Sequence, residues 1–147
     1  MASEDTLLGN DFRFMVGDGG SPEAFANMCA VIDPGSIGEE KPLVDVTAMC
    51  DPARTYRNGL ADGVEIPLVV NFIPGDVQTR ALYLGFKNDL VKRFRLAQVD
   101  NPTDFFEFSA IIRGWNVGAP IGDKSSMTFT LKVSGEVLWY QNGSAFA

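Results

Sequence analysis

The segment Ser126–Ser134 alternates without interruption. Met127, Phe129, Leu131 and Val133 are apolar, while Ser126, Thr128, Thr130, Lys132 and Ser134 are polar. A period of two belongs to a strand with one face buried, because successive side chains point to opposite sides of a sheet. A slip of one residue would put all four large side chains into water, so the pattern constrains register as well as conformation. The same period runs through Val64–Ile73, with Val64, Ile66, Leu68, Val70 and Phe72 on one side and Glu65, Pro67, Val69 and Asn71 on the other. Pro67 has no N–H to give to a ladder and predicts a free edge or a bulge at that point. In Asp104–Arg113 the apolar side is Phe106, Phe108, Ala110 and Ile112, opposite Glu107, Ser109 and Arg113. Val91–Val99 precedes it across the turn Asp100-Asn101-Pro102-Thr103, which predicts a hairpin.

Weaker strand signals lie at Asp11–Val16, at Leu43–Met49 (Val44, Val46 and Ala48 against Asp45, Thr47 and Met49) and at Glu136–Tyr140. Residues Glu23–Val31 show neither period. One segment breaks the β pattern. Pro74-Gly75-Asp76 predicts the start of a helix that runs to about Phe86, with the Asp76 carboxylate placed to cap free amides. Val77, Ala81 and Leu84 form its expected apolar stripe, widened by Leu82 and Phe86. The expected fold is mainly β, a sandwich or barrel of about seven to eight strands with one α-helix, about Asp76–Phe86, packed on it. The expected organisation is a flexible N-terminal arm (1–10), a β-domain (11–140) and a short C-terminal arm (141–147). Cys50–Gly63 has no periodicity and is long for a hairpin loop, which predicts a working segment.

Composition then narrows the chemistry. The 147 residues contain no histidine, which removes Ser-His-Asp and Cys-His catalysis and any His-ligated metal. Cys29 and Cys50 form no CxxC pair and read as small buried apolar residues. Gly17-Asp18-Gly19-Gly20 lacks the pattern and the lysine of a phosphate loop and reads as a turn. Asp45, Glu65 and Glu107 could in principle pair for acid–base work, but each lies on the polar side of a strand, where a solvated carboxylate is the default. No catalytic residue, cofactor site or metal site is expected, and an enzyme is not expected. The basic cluster Lys87, Lys92, Arg93 and Arg95 flanks Phe86 and Phe94 but carries no stacking motif, and it reads as a solvated or subunit-facing surface.

Charge points towards association. Nineteen acidic and twelve basic residues give a net charge of −7. Residues 1–65 hold twelve of the acidic and four of the basic groups, a net of −8, so the whole excess lies in the first half. Such asymmetry suits head-to-tail association of identical copies, and it is also common in small soluble domains that do not assemble. The acidic balance argues against a tight grip on nucleic acid. Residues 1–8 are polar and acidic, and the longest apolar run, Ile66–Pro74, is far short of the ~20 residues of a membrane helix. A cytoplasmic origin is therefore expected, with Asn142-Gly143-Ser144 a turn and not a glycosylation site.

The run Ile73-Pro74-Gly75-Asp76-Val77-Gln78-Thr79-Arg80-Ala81-Leu82-Tyr83-Leu84-Gly85-Phe86 resembles the helix region of the major tail tube proteins of lambda-like phages, whose tails are long and non-contractile. The order that follows is similar too: a strand, a short turn, an aromatic-rich strand ending in Arg113-Gly114-Trp115, a loop, and a strand closing in Val133-Ser134-Gly135-Glu136-Val137. The resemblance spans roughly Val44 to Trp139 and leaves no room for the C-terminal immunoglobulin-like domain that some members carry. It implies a structural subunit of hexameric rings that stack head-to-tail into a hollow tube, located in the virion tail and assembled in the host cytoplasm. It implies partners too: further copies of the chain, a tape measure protein, a tail terminator and a distal tail protein. DNA would pass through without tight binding, and no membrane would be involved.

The resemblance makes the long loop the element that reaches the adjacent ring, with Asp51, Arg54, Tyr56, Arg57 and Asp62 as its candidate contacts. Asp45, Glu65 and Glu107 become candidates for lumen-facing charge. Two alternatives share or approach this pattern. One is the tube of a contractile tail or of a type VI secretion system. The other, from a different class, is a ligand- or carbohydrate-binding β-sandwich, disfavoured by a content of only two Trp and three Tyr.

Overall fold

The computed structural model describes residues 11–19, 24–101, 103–142 and 144–145. The expected 1–10 arm therefore lies outside the described residues, as do Gly20, Pro102 and Gly143 of the three expected turns. The described chain forms β1 (Phe12–Gly17), β2 (Phe25–Asn27), β3 (Val31–Asp33), β4 (Glu39–Glu40), β5 (Leu43–Asp45), β6 (Tyr56–Asn58), β7 (Asp62–Gly63) and β8 (Glu65–Asn71). Helix α1 (Val77–Lys87) follows, then β9 (Val91–Gln98), β10 (Phe105–Gly118), β11 (Ser126–Val133), β12 (Leu138–Gln141) and β13 (Ser144–Ala145). The fold is mainly β with one helix, as the alternation predicts. The strand number exceeds the expected seven to eight because several strands are only two to four residues long, too short to show a period.

Nine strands make one antiparallel sheet in the order β2-β1-β9-β10-β11-β8-β3, with β12 added to β10 and β13 to β12. Strand β10 organises it. Its first residues pair with β12 (Phe106 opposite Trp139), whereas from Ala110 onwards the strand pairs with β11 (Ala110 opposite Val133, Trp115 opposite Phe129). A bulge between Ile112 and Gly114 lets the strand run on to Gly118. The sequence suggests an end at Arg113-Gly114, but the glycine serves a bend. The edges β2 and β3 are joined by the turn Met28–Ala30. Met28 N donates to Phe14 O of β1 at 3.0 Å, and Asn71 N of β8 donates to Ala30 O at 2.8 Å, so this turn spans from one edge of the sheet to the other, although β2 and β3 do not pair with each other.

The alternating residues meet inside. Ile66, Leu68, Val70, Phe129, Leu131, Phe94 and Leu82 have no exposed surface, and the rings of Phe14, Phe94 and Phe108 pack with centroids 5.5–6.4 Å apart. Pro67 behaves as expected. Val64 O accepts from Val133 N, so alternation turns the Pro67 nitrogen away from β11, towards the side where β3 reaches only Val69 and Val70.

Three local expectations are corrected. The buried side of α1 is Thr79, Leu82 and Gly85, not the Val77–Ala81–Leu84 stripe; Val77 is 71% and Leu84 54% exposed. Gly85 suits this side, since a Cβ there would stand 2.9 Å from Lys92 Cε and 3.2 Å from Ile112 Cδ1, a tight fit. Asp76 sits at the N-cap, but its carboxylate takes the Thr79 hydroxyl at 2.6 Å and caps no amide. Both cysteines are exposed, because Met28 and Ala30 take the buried positions around Cys29, and Cys50 lies in a loop beyond the core.

Candidate assembly interface

The segment between β3 and β8 does not join the main sheet. Strands β5 and β6 pair with each other alone (Val44 opposite Arg57, Asp45 opposite Tyr56), and β4 pairs only with β7. Every residue of β5 and β6 is exposed. The alternation in Leu43–Met49 thus marks a strand only over Leu43–Asp45, and among the described residues its Val44 and Val46 are exposed. The expected loop Cys50–Gly63 is the second half of a projecting hairpin.

The hairpin is built to hold its shape. Asp45 Oδ1 accepts from the Thr47 amide at 3.0 Å and from the Thr47 hydroxyl at 2.6 Å. The Thr47 Oγ1 accepts in turn from the Thr55 amide at 2.8 Å, and Asp51 Oδ2 accepts from the Ala48 amide at 2.7 Å. Arg54 closes the set with an ion pair to Asp45 at 3.4 Å. The bonds from Thr47 hold the Asp45 carboxyl below its ordinary value, since hydrogen bonds to an ionised carboxylate favour that form. At the root, Lys132 of β11 pairs with Asp62 at 3.3 Å and donates to the Gly63 carbonyl. Gly63 lies so close to Val133 that an added Cβ would stand 2.4 Å from the valine Cβ.

Of the five residues expected to stack, Asp51 and Arg54 lie in the tip and Tyr56 and Arg57 on β6, while Asp62 anchors the root. The hairpin also presents Leu43, Val44, Val46, Met49 and Leu60 to solvent, Met49 completely. Sequence reasoning left these out of the site. Their signal was an apolar strand pattern bounded by a region without a second matching strand pattern.

The three carboxylates singled out for a lumen are not brought together. Asp45 is on the hairpin. Glu65 begins β8 and pairs with Arg113 of β10. Glu107 is not the solvated carboxylate its strand position suggests. It is buried, with Arg93 at 3.0 Å and Arg95 at 3.6 Å. The Arg95 guanidinium is held between the rings of Phe25 and Phe105, at 3.9 and 4.2 Å from their centroids. The basic cluster is thus divided among three tasks: two arginines neutralise Glu107, the Lys92 stem packs beside Gly85, and Lys87 lies over the rings of Tyr83 and Phe86. Directly opposite pairs share a sheet face, so Thr128, Thr130, Lys132, Val69, Pro67 and Glu65 form one mixed, hydroxyl-bearing surface.

A second exposed apolar surface lies beside the helix. Phe72, Ile73, Tyr83, Leu84, Trp115 and Val117 line a groove of about 560 Å³, with Tyr83 and Trp115 edge-to-face at 5.4 Å. Among the described residues there is no group of three or more Cys, Asp or Glu able to hold a metal, and no helix is long and apolar enough to cross a membrane.

No family model and no curated protein matches the chain. Solved structures do. The tail tube of SPP1 matches with a TM-score of 0.76 at 14% identity, over 92% of this chain and 79% of that one. The chain has the tail tube fold. A protein of the tail of an empty gene transfer agent particle, solved with C6 symmetry, matches at 0.72 and 16% identity, over 92% of this chain and 100% of that one. A type six secretion system protein matches at 0.51 and 14% identity, over 92% of this chain and 90% of that one. The closer likeness is to the two tail proteins.

Proposed function

We propose that the chain is the structural subunit of a tail tube, in which rings of six copies stack head-to-tail into a hollow conduit for DNA. The observation that carries this reading is the hairpin. A two-stranded ribbon standing alone in water is marginal, yet this one is latched by its own side chains and exposes five large apolar residues. Such a ribbon gains stability only by docking onto a neighbour.

The hydroxyl-bearing face of β11 and β8, with Glu65 on it, is our candidate for the lumen wall. It presents short polar side chains, and its charges are ion-paired, Glu65 with Arg113 and Lys132 with Asp62, so it offers passing phosphates little unpaired positive charge. Glu107 contributes no bare charge there, being buried against Arg93 and Arg95, and Asp45 lies on the hairpin. The subunit would belong to a virion tail assembled in host cytoplasm, beside a tape measure protein, a tail terminator and a distal tail protein. The likeness in fold to the SPP1 tail tube and the gene transfer agent tail supports this reading. No enzymatic step is assigned.

Negative-stain microscopy of the purified protein at rising concentration tests the reading. Hollow filaments or six-fold rings are expected. A strict monomer at every concentration would overturn it.

A further inference from the structure

The tube reading does not say where the hairpin lands; the following rests on that reading. Strand β8 runs from Glu65 to Asn71, a rise of about 20 Å. The hairpin is tied to its first end through β7, whose Gly63 is two residues before Glu65. The apolar groove begins at its other end, because Phe72 and Ile73 directly follow Asn71. One copy therefore carries an apolar prong and an apolar groove at opposite ends of a single rigid strand. These two surfaces differ from each other, so copies that join them associate head-to-tail, closing into a ring or running on as a filament according to the rotation between them.

The chemistry of the two matches in detail. The groove is lined by rings and branched chains, with Arg80 of α1 at its rim. Arg80 has no ion pair among the described residues. The hairpin tip offers Met49, fully exposed, followed by Asp51. That carboxylate accepts hydrogen bonds from the Ala48 amide and the Thr55 hydroxyl but has no ion pair among the described residues. Methionine is unbranched and adapts to an irregular apolar recess. Leu84 and Val77 of α1 remain outside the core because the helix uses its Leu82 side for packing, which leaves them for an intermolecular contact.

We propose that the groove between α1 and the end of β10 receives the β5–β6 hairpin tip of a second copy of this chain, with Met49 seated against Leu84 and Trp115 and Asp51 facing Arg80.

The chain's own cysteines make this testable, since Cys50 adjoins Met49. A Cys29→Ser, Leu84→Cys variant is allowed to assemble and treated with a short bis-maleimide. A ladder of crosslinked multimers is expected, absent in the Cys29→Ser parent. Met49→Asp should raise the concentration needed for assembly roughly tenfold or more, while Met49→Leu leaves it nearly unchanged. Cys29 lies in a different recess, lined by Phe12, Phe14, Met28 and Ile32. If filaments form but unmodified protein crosslinks through Cys29 and Cys50, the hairpin lands there instead, and the proposal fails while the tube reading stands. Filaments without any crosslink to position 84 overturn the proposal in the same way. Absence of self-association at any concentration overturns the tube reading with it.

Discussion

Glu107 shows how far one residue's role can differ from its sequence position. By alternation it belongs to the polar side of β10, and it does point away from Phe108 and Ala110. The register then sets Arg95 directly opposite, and Arg93 joins from two residues along β9. Replacement by Gln leaves Arg95 half-buried without a counter-ion. We expect Glu107→Gln to cost roughly 1–3 kcal/mol in urea unfolding, less than a fully buried pair because Arg93 keeps contact with water. Gly63→Ala forces the root of the hairpin away from Val133, and a loss of about 1–3 kcal/mol is expected, read as a lowered Tm. Asp45 gives a pH signature. Its folded value is depressed, so what it contributes is present above the unfolded value and is lost as pH falls through the lower, folded one. The Thr47 amide resonance should therefore titrate with a midpoint below the ordinary ~3.9 of an aspartate, and Asp45→Asn should abolish that titration.

Among the elements, α1 is legible in the sequence while its buried side is not, and the hairpin is legible only as a strand-like segment followed by a long loop. Helical spacing alone fits two adjacent stripes on α1, because the segment is apolar on more than one side. Gly85 suits the side that packs, since a Cβ there would be a tight fit against Ile112. Leu82→Ala should accordingly destabilise the fold by about 2–5 kcal/mol. Leu84→Ala, outside the core, should cost less than about 0.5 kcal/mol in the monomer. Paired unfolding curves check both. The hairpin carries strand-like alternation in β5, but its partner β6 is three residues of mixed polarity, so the pairing shows only in the fold. Replacing residues 46–55 with a two-residue turn should leave the β-domain's unfolding midpoint nearly unchanged and abolish assembly, as judged by sedimentation.

For the whole molecule the acidic balance matters more than any single charge. A net charge of −7 should keep the protein from retaining duplex DNA in a gel-shift assay at physiological salt. The absence of histidine and the strict alternations were sufficient to exclude His-dependent catalysis and to fix a mainly β fold with one helix. Those features are local: side-chain type and a two-residue period survive in any alignment of strands, and a missing residue type cannot be supplied by folding. Which carboxylate is buried, which side of α1 faces inward and which apolar residues stay in water all depended on register, on the bulge in β10 and on the turn from β2 to β3. Each of these brings together residues tens of positions apart, as Arg113 meets Glu65 and Lys132 meets Asp62. A period read along one strand carries no information about what lies across from it. The first-half excess of acid, with which the sequence could only suggest association, lies outside the β5–β6 hairpin, where Asp45 and Asp51 are matched by Arg54 and Arg57, and what the tertiary structure adds there is an exposed apolar surface.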